Sequence, residues 1–102
     1  MALKKKSKNN NVRAHVFYSG RVQGVGFRYT AEKIALDLKL FGWVKNLMDG
    51  RVEIVCEGPK ETIDLLFQQI KESMLGPHIK KIDVNWEVAT HEFDDFTVEH
   101  IL

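Results

Sequence analysis

The chain has 102 residues, a single cysteine (Cys56), a formal net charge of +1 and 44% hydrophobic content. Those values describe one globular domain with a single core and exclude an internal disulfide. No apolar run approaches the roughly 20 residues that cross a bilayer, and no apolar segment follows the N-terminal lysines. Neither a membrane span nor a signal peptide is therefore expected, and the expected location is cytoplasmic.

Charge is unevenly spread. Lys4, Lys5, Lys6 and Lys8 precede Val12 with no acid among them, so the remaining residues carry −3 against a total of +1. Met1–Asn11 reads as a disordered basic tail and Val12–Leu102 as the folded domain. A mildly acidic body argues against a general nucleic-acid surface. No nucleic-acid or membrane partner is expected, and the default state is a monomer.

Val12–Tyr18 alternates as a first strand, with Val12, Ala14, Val16 and Tyr18 on one side. Gly20, Gly24 and Gly26 then punctuate the stretch Gly20-Arg21-Val22-Gln23-Gly24-Val25-Gly26-Phe27-Arg28. Glycine lets backbone amides turn inward and approach an anion, and a helix start directly behind adds unpaired N–H groups and a positive dipole end. Arg28 places a permanent fork-shaped cation there, suited to phosphate or carboxylate. Such a loop also occurs as a simple change of chain direction. It lacks both the Gly-Lys-Ser/Thr ending of a nucleotide loop and the GxGxxG spacing.

Phe27, Ala31, Ile34, Ala35 and Leu38 recur at helical spacing, predicting a helix over about Arg28–Lys39. Two strands follow, Phe41–Leu47 and Arg51–Glu57, joined by Met48-Asp49-Gly50, where Asp-Gly signals a hairpin. Asn46 beside this turn reads either as a solvated turn residue or as a group that orients a water, since its amide both donates and accepts. Val52, Ile54 and Cys56 share a face, which makes Cys56 a core thiol. Gly58-Pro59 opens a second helix, with Pro59 suited to the first helical position. Ile63, Leu66, Phe67, Ile70 and Met74 form its core stripe, and it ends near Ser73. Ile82, Val84, Trp86 and Val88 alternate as a fourth strand, and Phe96, Val98 and His100 as a short fifth.

This order predicts an α+β fold of the ferredoxin-like, split βαβ type, with two helices on one face of an antiparallel sheet. Each βαβ unit is expected to set its two parallel strands side by side through a right-handed crossover. His15, His78, His91 and His100 are scattered and show no metal-ligand spacing. The glycine loop contains no cysteine to serve as a nucleophile.

The stretch Gly20–Arg28 resembles the first signature of the acylphosphatase family, and Gly42-Trp43-Val44-Lys45-Asn46-Leu47-Met48-Asp49-Gly50-Arg51-Val52, closing at Gly58, resembles its second. The resemblance extends from about Val12 to the C-terminus; Tyr18 departs from it, where the family usually has an aliphatic residue. It implies a small hydrolase that splits acyl phosphates into carboxylate and phosphate. It also implies that Arg28 and the amides of Gln23, Gly24, Val25, Gly26, Phe27 and Arg28 hold the phosphoryl group, and that Asn46 holds the attacking water. No metal, cofactor or phospho-enzyme is implied, and phosphate or sulfate would compete with substrate. Two other readings stay open: a phosphate-binding domain without turnover, and an RNA-binding module on the same fold.

Overall fold

The computed structural model describes residues 10–100; most of the tail read as disordered, residues 1–9, lies outside them. Strands β1 (Asn11–Gly20), β2 (Phe41–Asn46), β3 (Val52–Pro59), β4 (Ile79–Val88) and β5 (Phe96–Glu99) form one sheet in the order β4-β1-β3-β2-β5. Helix α1 (Phe27–Asp37) joins β1 to β2, helix α2 (Lys60–Glu72) follows β3, and a 3-10 turn at Gly76–His78 leads into β4. β1 runs antiparallel to both β3 and β4, and β2 runs antiparallel to β3.

The ferredoxin-like α+β arrangement matches the expectation, but the placement of the strands differs in two ways. The strands of each βαβ unit are not neighbours: β3 lies between β1 and β2, and β1 lies between β3 and β4. The crossover is split because each unit leaves a gap that the other fills with an antiparallel strand. β5 also pairs parallel to β2, so the sheet is mixed.

One core forms between the sheet and both helices. Ala14, Val16 and Tyr18 of β1 lie opposite Cys56, Ile54 and Val52 of β3, and these side chains pack with Phe27, Ala31 and Ala35 of α1 and Ile63, Leu66 and Ile70 of α2. Full burial of an aliphatic side chain contributes about 1.5–3 kcal/mol, so this face carries the hydrophobic stability. Met74 is 90% exposed, beyond the end of α2, and Leu75 takes the core position expected for it. Pro59 is not the first helical residue: it ends β3 in extended backbone (φ −61°, ψ 141°), and α2 starts at Lys60. The ring fixes φ at a value that suits either role, and the pairing with Asn11 holds it in the sheet.

α1 stops in a Schellman arrangement. Leu40 N–H donates to the Ala35 carbonyl at 2.9 Å and Lys39 N–H to Leu36 at 3.0 Å, with Lys39 at φ +60°. Glycine normally fills that left-handed position without steric cost. Lys39→Gly is therefore expected to stabilise the protein by about 0.5–1 kcal/mol, read as a raised urea midpoint at constant m-value.

On the sheet face away from the helices, Glu57 is only 3% exposed. Its carboxylate accepts hydrogen bonds from Thr90 N–H (2.8 Å), Thr90 Oγ1 (3.0 Å) and His91 N–H (2.9 Å), and Arg13 stands 3.5 Å away. Burial works to raise its pKa, but these donors and the guanidinium together hold it below the usual carboxylate value. The folded carboxyl therefore binds its proton less readily than the unfolded one, whose pKa is about 4.3. Its contribution is fully present above that value and is lost as pH falls through the folded pKa. Glu57→Gln is expected to lower stability at pH 7 by about 1–3 kcal/mol and to flatten the acid limb of stability against pH. Urea denaturation at a series of pH values would read both effects.

Candidate functional site

β1 ends at Gly20, and the chain turns through Arg21–Gly26 into α1. Arg21 N–H donates to the His78 carbonyl at 2.9 Å, and Val22 is 1% exposed, so the loop is anchored at its start. Gly24 lies at φ +77° and Gly26, the N-cap of α1, at φ +80°. An L side chain in that left-handed region costs about 1–2 kcal/mol. A Cβ at either glycine would meet no atom within 4 Å, so the demand is on backbone direction and not on space. Among the described residues, the backbone N–H groups of Gln23, Gly24, Val25, Gly26, Phe27 and Arg28 donate to no protein acceptor. They stand beside the positive end of α1, which has no acidic residue in its first turn.

Gln23 joins this loop to the β2–β3 hairpin. Its Nε2 donates to the carbonyls of Leu47 (2.7 Å) and Arg51 (2.9 Å). The hairpin is itself closed by Leu47 N–H to Arg51 at 2.8 Å, and Asp49 accepts from both the amide and the Nε of Arg51. Those bonds, the backbone amide of Arg51 first, hold the Asp49 carboxyl below its ordinary pKa. The side chain of Gln23 thus positions Asn46, the last residue of β2, against the glycine loop. Asn46 pairs across from Val52 and so lies on the helix face of the sheet.

Val22, Gly24, Gly26, Phe27, Arg28, Tyr29 and Asn46 surround a cavity of about 100 Å³. Asn46 Oδ1 is buried with no hydrogen-bond partner. Arg28 makes no ion pair among the described residues; its guanidinium lies 5.9 Å from the ring of Tyr29. Arg28, without an ion pair among the described residues, and Asn46, whose Oδ1 has no protein partner, thus line one small cavity with Gly24 and Gly26. Tyr29, 61% exposed, is a wall residue that the sequence reading missed; its place directly after Arg28 was the available signal. Val22 was missed as well.

A larger cavity of about 670 Å³ also touches Asn46, but Glu92, Asp94, Asp95 and Glu99 line it. Four carboxylates repel a phosphate, so size does not make it the anion site. Cys56 is fully buried, and burial together with the neighbouring Glu57 carboxylate pushes its thiol up to about 12, which keeps it protonated and inert. Burial likewise pushes the Tyr18 phenol above its ordinary value, and its hydroxyl has no partner. Tyr18 packs 4.8 Å from Phe27 beneath the helix start, which is a packing role. Among the described residues, no three His, Cys, Asp or Glu side chains gather as metal ligands, and no helix is long and apolar enough to cross a membrane.

The acylphosphatase family model matches residues 14–98. An acylphosphatase of Pyrobaculum islandicum is 40% identical over 89 residues, covering 86% of this chain and 94% of that protein. An acylphosphatase of Roseiflexus is 42% identical over 86 residues, covering 84% and 92%. In structure, the acylphosphatase of Bacillus subtilis superimposes with a TM-score of 0.80 at 35% identity, covering 86% of this chain and 98% of the other.

Proposed function

The chain belongs to the acylphosphatase family, and we propose that its glycine loop and Arg28 hold the phosphoryl group of an acyl phosphate while Asn46 positions the water that attacks it. The enzyme is an acylphosphatase, a hydrolase that yields a carboxylate and inorganic phosphate. The observation that carries the assignment of roles is that Arg28 and the unpartnered Oδ1 of Asn46 line one small glycine-walled cavity.

The chemistry follows from the charges. The amides of Gln23–Arg28 and the dipole of α1 neutralise the non-bridging phosphoryl oxygens, and the Arg28 fork takes two of them. Asn46 accepts a hydrogen bond from a water and holds it in line with the bond to be broken. The water oxygen bonds to phosphorus, the bond from phosphorus to the acyl oxygen breaks, and its electron pair leaves with the carboxylate. A phosphoryl oxygen takes the proton. Carboxylate is a good leaving group, so positioning and charge stabilisation suffice without a protein base or nucleophile.

The reaction needs no metal in this scheme. Every group comes from one chain, so the monomer is the catalytic unit. Inorganic phosphate and sulfate compete for the same cavity, nucleic acid is not a ligand of the acidic body, and the enzyme acts in the cytoplasm. Benzoyl phosphate hydrolysis in the presence of a chelator tests the scheme. Metal-independent turnover with competitive inhibition by phosphate is expected. A folded protein without turnover would overturn it and favour a binding domain.

A further inference from the structure

β4 is an edge strand of ten residues, and its inner face is only partly covered. Trp86, Val84 and Ile82 lie opposite the buried Ala14, Val16 and Tyr18 of β1 and therefore face the helix side. Ile82 is 40% exposed, Trp86 41% and Val88 87%. From α2, Phe67 places its ring 6.2 Å from that of Trp86 and Lys60 its Nζ 4.7 Å from the same ring, while Gln68 and Lys71 stand across an open cavity from Ile82. No proline interrupts β4, and its one register irregularity is at the start, beside Ser19 and Gly20. Edges of this kind are ordinarily blunted by charged side chains, prolines or bulges; the charges of β4 are of both signs, Lys80 and Lys81 with Asp83 and Glu87, so a second β4 can meet them as partners.

We propose that β4 pairs antiparallel with β4 of a second copy of this chain, about a two-fold axis through Val84. In that register Lys81 stands opposite Glu87 of the partner subunit, Ile82 opposite the partner's Trp86, and Asp83 opposite the partner's Asn85. The two-fold repeats each pair, so two opposite-charge pairs flank two apolar pairs and a central valine pair. Neighbouring registers fail on charge. Moving the axis to Asp83 sets that carboxylate against itself, and moving it to Asn85 sets Asp83 against Glu87. In the monomer Lys81 makes an exposed contact of 3.7 Å to Asp83, and Glu87, 45% exposed, stands 3.4 Å from Arg13 and 3.9 Å from His15, so the new pair adds Lys81 to a carboxylate that Arg13 also touches.

The axis is perpendicular to the sheet, so both copies of α2 lie on the same side and flank the covered apolar strip. The glycine loop and Asn46 stay within each copy, and turnover per chain is expected to be the same in monomer and dimer.

Sedimentation equilibrium from roughly 1 to 500 μM, a range suited to a small interface, tests the pairing. Wild type is expected to dimerise reversibly. Lys81→Glu alone sets two carboxylates against Glu87 in each homodimer, and Glu87→Lys alone sets two ammonium groups against Lys81. Each is expected to raise the dimer Kd about tenfold or more. An equimolar mixture of the two variants restores both opposite-charge pairs and is expected to dimerise like wild type. Asn85→Lys, an exposed substitution that removes no hydrogen bond or ion pair among the described residues, faces Asp83 of the partner subunit and is expected to tighten the dimer, whereas Asn85→Asp loosens it. A monomer throughout the range would overturn the proposal. So would variants that dimerise as wild type does, or a mixture that stays monomeric.

Discussion

Arg28→Gln is expected to lower kcat/KM for benzoyl phosphate by about 10³-fold or more, the scale of an arginine that stabilises a transferring phosphoryl group. The inhibition constant for inorganic phosphate should rise in parallel by about 10–100-fold, as loss of a charged hydrogen-bonded pair implies. Glutamine keeps some of the length but removes both the charge and the fork. Arg28→Lys should restore little, because an ammonium is a point charge that cannot grip two oxygens in one plane. The melting temperature should stay near wild type. Arg28 makes no ion pair among the described residues, so the folded state loses only its contact with the exposed Tyr29 ring. A variant that loses activity by unfolding would not fit this account.

Asn46→Ala should separate binding from chemistry. Phosphate affinity is expected to stay within about twofold, while kcat falls by about 10²-fold or more through loss of the positioned water. Stability carries a sharper signal. Asn46 Oδ1 takes no hydrogen bond from another group of the protein among the described residues, so its truncation strips no donor of a partner. Its removal should therefore leave the melting temperature near wild type, although a side chain is lost from the rim of the core. Activity loss joined to retained stability is the pattern of a residue kept for function. Equal losses of phosphate affinity in both variants would contradict the division of roles.

Much of this geometry was legible in the sequence because local rules set it. The glycine spacing placed the turn into α1, and Asp49-Gly50 placed the hairpin that ends in Asn46. Other features depend on partners distant in sequence. The alternation of Ile82, Val84, Trp86 and Val88 correctly indicated a strand, but not that α2 would cover its inner face only in part. Glu57 sits at the polar phase of β3, and nothing local in the sequence marks it as buried. It is buried because Thr90 and His91, from the connection between β4 and β5, close over it. Gln23 was read for its backbone amide in the anion loop, and its side chain, which no local rule places, bonds the carbonyls of Leu47 and Arg51. The strand order escaped the local reading as well, since periodicity reports faces and not neighbours.

The claim that water held at Asn46 attacks phosphorus, with the phosphoryl group in the Arg28 cavity, is tested most directly by hydrolysing benzoyl phosphate in ¹⁸O-labelled water. The account predicts that the label appears in inorganic phosphate and that benzoate is released unlabelled. Label in benzoate would show attack at the carbonyl carbon and contradict the assignment of both residues.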